Sequence, residues 1–149
     1  MTVMDLRSQA VLQQAFRREC LSLMRYVGEA YPWTAAEGGA ALTRLRDIEA
    51  EDRSAAAALG RFLFRRHIPP TVSNTFPVSF TTANFLSLQY LLPRLIVGQR
   101  REVAELERDA AAVADPDAKA ELQMLLTVKR MHLSELEGLK VPQGEATKV

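Results

Sequence analysis

Hydrophobic residues recur at intervals of three and four positions through four long stretches of the chain, a spacing that places them on one face of a helix. No stretch alternates between apolar and polar residues as a half-buried strand does. The pattern predicts helices over residues 5–31, 35–68, 82–113 and 115–139. It therefore predicts an all-α fold with a single domain over residues 1–139 and a flexible polar tail over 140–149.

Turn and capping residues set the expected ends of these helices. The Pro32-Trp33-Thr34 segment ends the first helix, and Thr34 followed by Glu37 matches a capping box for the second. Proline at 69 and 70 ends the second helix, because proline lacks an N–H and disfavours helix in the residue before it. Pro93 inside the third stretch predicts a kink or a later start. Asp115 and the following proline predict the N-cap and first residue of the fourth helix.

The connections between the helices differ in length, and this difference predicts the topology. Two short turns, near residues 32–34 and 114–116, make antiparallel hairpins of the first and second and of the third and fourth helices. Between the hairpins, residues 67–81 are rich in proline, serine and threonine. Such a segment reaches ~50 Å when extended, about the length of a 32-residue helix. A crossover along the whole length of the fold is favoured over a loop that folds back.

Polar residues interrupt the apolar stripe of every predicted helix at a similar depth. Glu19 lies on the stripe of the first helix, and Glu51 on that of the second, with Asp52 nearly as close to the same face. Gln99 takes the corresponding position on the third helix. On the fourth, Lys129 and His132 flank the stripe. Polar groups on apolar faces are the informative exceptions in such patterns, so these residues are the candidate functional cluster.

The architecture and several short segments resemble the ferritin-like superfamily, and in particular its small bacterial ferritin-like domain proteins. The segments are REC (18–20), EAYPW (29–33), IEAEDRSAA (48–56), LQYLLPRLI (88–96) and MHLSELEGL (131–139). The resemblance covers about residues 10–139. It implies a four-helix bundle in which two antiparallel hairpins are joined by a long crossover, with a di-metal centre at mid-bundle.

The metal ligands implied by this resemblance are only partly present. The family pattern is a glutamate on the first and third helices and Glu-x-x-His on the second and fourth. Glu19 and Glu51 match, but Ser54 stands where the second helix should supply histidine. The third helix offers Gln99 instead of an acid, since Glu102 is expected nearer the outer face. On the fourth helix Lys129 replaces the glutamate, and only His132 remains.

The replacements predict that the di-metal centre is absent, because a lysine ammonium cannot be a metal ligand and adds positive charge where a dication would bind. Buried glutamates without a metal need another partner. We expect Lys129 to pair with Glu51 or Glu19, with Gln99, Ser54 and His132 completing the hydrogen bonds. The alternative is that Lys129 extends outward to solvent. If any metal is retained, iron or manganese on Glu19, Glu51 and His132 is the expected form.

Charge and composition narrow the function further. The net charge is +1, from 19 basic and 18 acidic side chains, which gives no signature of nucleic-acid binding. No apolar run approaches the ~20 residues of a membrane span, and no signal peptide or disulfide pair is visible, which favours the cytoplasm. The favoured function is a non-catalytic interaction, structural or small-ligand-binding protein without a cofactor. The alternative is a metal-dependent protein that oxidises or stores iron or handles peroxide. A homo-oligomer and the identity of any protein partner stay open.

Overall fold

Five α-helices make up most of the residues that the computed structural model describes, 3–71 and 75–141. Every regular element in these ranges is helical, which confirms the all-α prediction, although five helices replace the four expected. No helix within the described residues has the length and apolar character needed to span a membrane. Most of the predicted tail, residues 142–149, lies outside the described residues. The helices are α1 (Leu6–Cys20), α2 (Leu23–Ala30), α3 (Gly39–Arg65), α4 (Leu88–Ala112) and α5 (Pro116–Gly138), with 3₁₀ turns at Ala36–Gly38 and Val78–Ala83.

The first predicted helix is divided into two at Leu21 and Ser22. The backbone of Ser22 is extended (φ −73°, ψ 157°), and its hydroxyl accepts a hydrogen bond from the Arg25 N–H at 3.1 Å. Serine in this conformation is a strong N-cap, because its side chain satisfies an N–H that the first turn leaves unpaired. The prediction of one continuous helix over residues 5–31 was therefore wrong, although its first and last residues agree with the start of α1 and the end of α2 to within one residue.

The second predicted helix begins later than its capping signal indicated. The α3 helix starts at Gly39 after a short 3₁₀ turn, and neither element has a side-chain cap. The prediction that Thr34 caps this helix was wrong. The adjacent Trp33 instead uses its backbone in long-range bonds, donating to the Leu86 carbonyl at 3.2 Å and accepting from the Leu88 N–H at 2.7 Å. These bonds hold the chain extended past the predicted cap.

The last two helices follow the sequence signals more closely. The α4 helix begins at Leu88, six residues after the predicted start at residue 82, and Pro93 lies within it. The α5 helix begins at Pro116, where the carboxylate of Asp115 accepts from the Ala118 N–H at 2.9 Å. The predicted N-cap and first residue of this helix are confirmed.

Contacts at the two ends of the molecule show how α3 and α4 run. At one end, the Leu88 N–H donates to Trp33, so α4 begins beside the connection from α2 to α3. At the other end, the guanidinium of Arg66 bonds the carboxylate of Asp115 at 3.2 Å, so α3 ends beside the start of α5. The α3 and α4 helices therefore run in the same direction. The chain must pass from one end of the molecule to the other between them.

The crossover between α3 and α4 follows the α1 and α2 helices. Near its start, the Gln13 side-chain amide donates to the Pro69 carbonyl at 2.6 Å. Near its end, the ring of Tyr26 packs edge-on against Phe76 with centroids 5.1 Å apart, and its hydroxyl donates to Asn84 at 2.6 Å. These contacts hold the crossover against the side of α1 and α2.

The apolar core consists of two clusters, one toward each end of the helices. The cluster beside the α4–α5 turn includes Leu12, Leu59, Phe62, Leu63, Leu106, Leu122 and Leu125. The cluster beside the α2–α3 connection includes Val27, Leu45, Ile48, Leu88, Leu91, Leu95 and Leu136. Each long helix, and the α1–α2 pair, contributes to both clusters, and buried polar residues lie in the interval between them.

Packing at Gly60 provides a test of how α1 and α3 meet. A Cβ atom at Gly60 would lie 2.9 Å from Cε1 of the Phe16 ring. We expect Gly60→Ala to lower the free energy of unfolding by about 1–3 kcal/mol, since overpacking forces the ring and backbone to shift. A Cβ at Gly98 in α4 would meet no atom within 4 Å. The matched Gly98→Ala variant should therefore raise stability by about 0.5–1 kcal/mol. Urea denaturation of both variants distinguishes them, and shifts in the same direction would contradict this packing.

Candidate functional site

A layer of buried polar side chains separates the two apolar clusters, and we call it the polar layer. Every long helix supplies at least one member, placed where its apolar stripe passes from one cluster to the other. Most members are less than a tenth exposed, and Glu102 is partly buried. Buried polar groups are costly unless they are paired, so their arrangement carries the chemistry of the site. The members are Glu19, Asp52, Gln99, Glu102, Lys129 and His132.

The ammonium group of Lys129 lies at the centre of the polar layer. Its Nζ is 3.0 Å from Glu19 Oε1, 2.9 Å from Asp52 Oδ2 and 2.8 Å from Glu102 Oε2. The lysine side chain is 1% exposed. By volume it is the largest fully buried side chain in the described residues. An ammonium has three N–H donors and no acceptor, so three surrounding carboxylates match it in number. Lys129 points inward and forms an ion pair with each of the three carboxylates, and its contact with Glu102 Oε2 lacks hydrogen-bond geometry.

His132 is the second cationic group of the polar layer. It is fully buried, with Nδ1 bonded to Asp52 Oδ1 and Nε2 lying 3.0 Å from Glu51 Oε2. A carboxylate at each ring nitrogen favours the doubly protonated imidazolium. Burial alone would lower the pKa of His132, but the bonds with Asp52 and Glu51 raise it above its ordinary value.

The three carboxylates around Lys129 differ in how readily they hold a proton. Burial raises the pKa of Glu19 to about 7, despite the opposing effect of the ammonium. Burial also raises the pKa of Glu102. For Asp52, the hydrogen bond from His132 and the charge of Lys129 outweigh burial, so its pKa is lowered. Asp52 therefore stays ionised, whereas burial favours the protonated form of Glu19 and Glu102.

Gln99 completes the layer on the side of α4. Its side-chain amide nitrogen donates to the backbone carbonyl of Lys129 at 3.4 Å. In the described part of the chain, its carbonyl oxygen Oε1 has no hydrogen-bond partner although it is buried. A buried acceptor left unpaired typically costs about 1–3 kcal/mol, so this atom needs an explanation.

Around His132, exposed ion pairs hold the edge of the polar layer. Arg44 bonds Glu135 on α5 at 2.5 Å and Glu51 on its own helix at 3.3 Å. Glu51 thus accepts from both His132 and Arg44 while remaining largely exposed. Because these groups face solvent, their pairs contribute little to stability but orient the Glu51 carboxylate.

A cleft opens beside the polar layer where α1 gives way to α2. Its volume is about 460 Å³, within the range of ligand-binding pockets. The cleft is bounded by the α1–α2 break, by α4 and by the crossover. Gln99 and Glu102 belong both to its lining and to the polar layer.

The structure brings together most of the predicted site residues and corrects the others. Glu19, Gln99, Lys129 and His132 all lie in the polar layer. Of the two predicted partners of Lys129, Glu19 lies 3.0 Å from its Nζ, whereas Glu51 is exposed and contacts His132 and Arg44 instead. Asp52 takes the place that was predicted for Glu51. Ser54, expected to complete the hydrogen bonds, lies exposed on α3 outside the layer.

Sequence reasoning missed the full roles of two acids. Asp52 is four residues after Ile48 and four before Ala56, and it is Ala56 rather than Ala55 that is fully buried. Glu102 was expected on the outer face, yet it is three residues after Gln99 and contacts Lys129. Helical spacing allowed both inward positions. On α3 the available signal was that Glu51 and Asp52 fit the apolar stripe almost equally, and on α4 it was the three-residue spacing from Gln99 to Glu102.

The resemblance to ferritin-like proteins implies two metal ions in this layer, and the residues present do not fit them. The Lys129 ammonium lies among the acids that would have to bind the ions, and its charge opposes a dication. Both nitrogens of His132 face carboxylates instead of a shared ligand position. Within residues 3–71 and 75–141, no three His, Cys, Asp or Glu side chains converge as a metal site requires.

No protein-family model, curated protein or solved structure matches the chain. The chemistry of the site must therefore be inferred from its own residues and contacts.

Proposed function

We propose that this chain is a ferritin-like protein in which a lysine ammonium replaces the di-metal centre, and that it acts as a non-catalytic binding or structural protein. One observation carries the proposal: Lys129 Nζ lies within 3.0 Å of three carboxylates from three different helices. These acids come from α1, α3 and α4, and the lysine from α5. The ion pairs thus join the helices at the depth where the family holds its metals.

The ammonium supplies charge balance without reactivity. It has a fixed single charge and no open coordination position, and its surrounding carboxylates raise its pKa above the ordinary value even though burial alone would lower it. It therefore stays protonated at neutral pH and cannot serve as a nucleophile or base. With His132 also held between two carboxylates, neither cationic group is free to react.

Among non-catalytic roles, small-ligand binding has the clearest support. The cleft adjoins the polar layer and shares Gln99 and Glu102 with it. A purely structural role would account for the ion pairs but leaves the cleft without a role. Protein interaction or a homo-oligomer gains no specific support from the described contacts.

The metal-dependent alternative draws on the contact between Glu51 and His132 at 3.0 Å. Its third expected ligand, Glu19, is instead paired with Lys129. Iron or manganese bound to these residues would require Lys129 to leave the layer.

Elemental analysis of protein produced with added iron and manganese tests the proposal. We expect the wild-type chain to contain substoichiometric metal. Lys129→Glu removes the ammonium and restores Glu-x-x-His on α5, so this variant should take up metal, and adding Glu19→Ala should reduce the uptake. Stoichiometric metal in the wild type that is lost in Glu19→Ala or His132→Ala would refute the proposal, whatever the behaviour of Lys129→Glu.

A further inference from the structure

The cleft beside the polar layer lies where α1 ends and α2 begins. Ser22 interrupts the helical surface there, because its backbone is extended and its hydroxyl caps α2. Met24 and Leu95 form a buried apolar floor, with 3% and 2% of their surfaces exposed. Phe80 of the crossover lines another side and packs near Tyr26 with ring centroids 5.6 Å apart. The apolar part of the lining consists of Leu21, Leu23, Met24, Pro77, Phe80 and Leu95.

The charged side chains that line the cleft carry an excess of positive charge. Three of them are arginines and two are glutamates: Arg17, Arg18, Arg101, Glu102 and Glu105. One positive charge is therefore left over within the lining. Such an excess beside an apolar wall favours an anion over a neutral molecule. It also favours a singly charged anion over a multiply charged one, since the two glutamates repel additional negative charge.

Both glutamates and one of the arginines are already paired. Glu102 Oε2 lies 2.8 Å from the ammonium of Lys129, so its charge is balanced from inside the polar layer. Glu105 Oε2 lies 2.7 Å from Nε of Arg18, and the same guanidinium also contacts Asp109. Because Arg18 is held between two carboxylates, the positive excess of the cleft belongs to the other two arginines.

These two arginines, Arg17 on α1 and Arg101 on α4, are available to a ligand. Arg17 is exposed and forms no ion pair with any residue that the structure describes. The side chain of Arg101 is 72% exposed, and its contact with Glu105 is 3.9 Å, too long for a hydrogen bond. A guanidinium presents its N–H donors in a planar fork that matches a carboxylate. The N-terminus of α2, which begins at Leu23 in the lining, adds a partial charge of the same sign.

We infer that the cleft binds a small amphipathic anion, a molecule with an apolar body and a single negatively charged head group of the carboxylate kind. The head group is held by the guanidiniums of Arg17 and Arg101, and the body packs on Met24, Phe80 and Leu95. The volume of about 460 Å³ accommodates one aromatic ring with a short chain. This inference names the ligand class for the proposed small-ligand role and rests on that role.

Probes of similar size that differ in charge test the inference. Hydrocinnamate carries a carboxylate on a phenylethyl group, hydrocinnamamide is its neutral counterpart, and phenylpropylamine is a cation. In titrations at neutral pH and low salt, followed by backbone amide NMR shifts, we expect hydrocinnamate to bind at residues of the cleft with millimolar or tighter affinity. It should bind about five- to tenfold more tightly than the amide, because the amide lacks the charge that the exposed arginines attract. The amine should bind more weakly still.

Arginine variants identify the cations that hold the head group. The double variant Arg17→Gln/Arg101→Gln should bind hydrocinnamate and its amide equally. The matched control is Arg46→Gln/Arg61→Gln, which removes the same net charge at two exposed positions of α3 outside the cleft and should keep the wild-type preference. Gly98→Leu tests the location separately, since Gly98 lines the cleft and a Cβ there meets no atom within 4 Å. A leucine at this position should weaken hydrocinnamate binding at least several-fold by filling the cleft.

The outcomes separate this inference from the proposed function. Equal affinity for hydrocinnamate and its amide, a preference that persists in Arg17→Gln/Arg101→Gln, an equal loss in the α3 control, or no binding of hydrocinnamate would each overturn the inference. Metal content measured on the same preparations decides the proposed function independently. A metal-free protein that fails the charge test refutes only the ligand assignment, whereas a metal-containing protein refutes the role on which it rests.

Discussion

Replacing Lys129 by methionine should lower the free energy of unfolding by about 3–5 kcal/mol at pH 7. Methionine keeps much of the volume of the side chain but leaves Glu19, Asp52 and Glu102 facing one another without the ammonium that now lies within 3.0 Å of each. Uncompensated buried charge is among the few causes of large single-residue effects. Urea denaturation at constant ionic strength measures the change.

The pH dependence of this variant distinguishes lost charge from lost packing. In the wild type, the pKa of Glu19 is about 7 in the folded state against 4.5 as the ordinary value. The folded state therefore binds more protons than the unfolded state between these two values, and stability falls as pH rises across the interval. Without Lys129, the carboxyl groups should hold their protons to still higher pH. The deficit of the variant should be smaller at pH 5 than at pH 8.

Lys119 on the same helix provides the matched control for this substitution. Lys119 is only partly buried and forms no ion pair with the described residues. Lys119→Met should therefore change the free energy of unfolding by less than about 0.5 kcal/mol. If Lys129→Met were as stable as Lys119→Met at pH 8, the central position of the ammonium would be wrong. A deficit independent of pH would indicate a packing defect instead of uncompensated buried charge.

Replacing Asp52 by asparagine is expected to cost about 3 kcal/mol, the second largest effect. Among the residues that the structure describes, Asp52 is the one carboxylate that bonds both cationic groups, with Oδ2 2.9 Å from Lys129 Nζ and Oδ1 on His132 Nδ1. Asparagine has nearly the same shape but lacks the charge, and its NH2 group places a donor against one of the two cationic donors, so the loss combines the electrostatic and hydrogen-bond contributions. The hydrogen bond from His132 and the charge of Lys129 keep the pKa of Asp52 low, which means that the charge is present throughout the neutral range.

The neighbouring residue supplies the comparison for Asp52. Glu51 is exposed, although it also contacts His132, and Glu51→Gln should cost less than about 1 kcal/mol. Denaturation midpoints of the two variants at pH 7 give the difference directly. A larger effect at Glu51 would mean that α3 presents the other face to the core, and equal effects would contradict the central position of Asp52.

Much of the fold could be predicted because its determinants are local. The three-and-four spacing of apolar residues located all the long helices, and Asp115 with Pro116 marked the start of α5 to the residue. The break at Ser22 was missed because the apolar stripe continues through it, and a serine becomes a cap only when the backbone turns extended. The Thr34 prediction failed for a related reason, since long-range backbone bonds from Trp33 prevent the local capping box from forming.

The amino-acid sequence by itself determined that the chain is all-helical and that acids, an amide, a lysine and a histidine interrupt its apolar stripes at mid-length. The resemblance to ferritin-like proteins further implies that Lys129 stands where that family has a glutamate. Only the tertiary structure decided which of two adjacent acids on α3 turns inward, that Glu102 joins the layer, and that the amino group meets three carboxylates. Helical spacing predicts which residue of a helix faces the core only to within one position along the chain. The packing of the neighbouring helices selects within that width, because each buried charge is stable only where its partners from other helices can reach it.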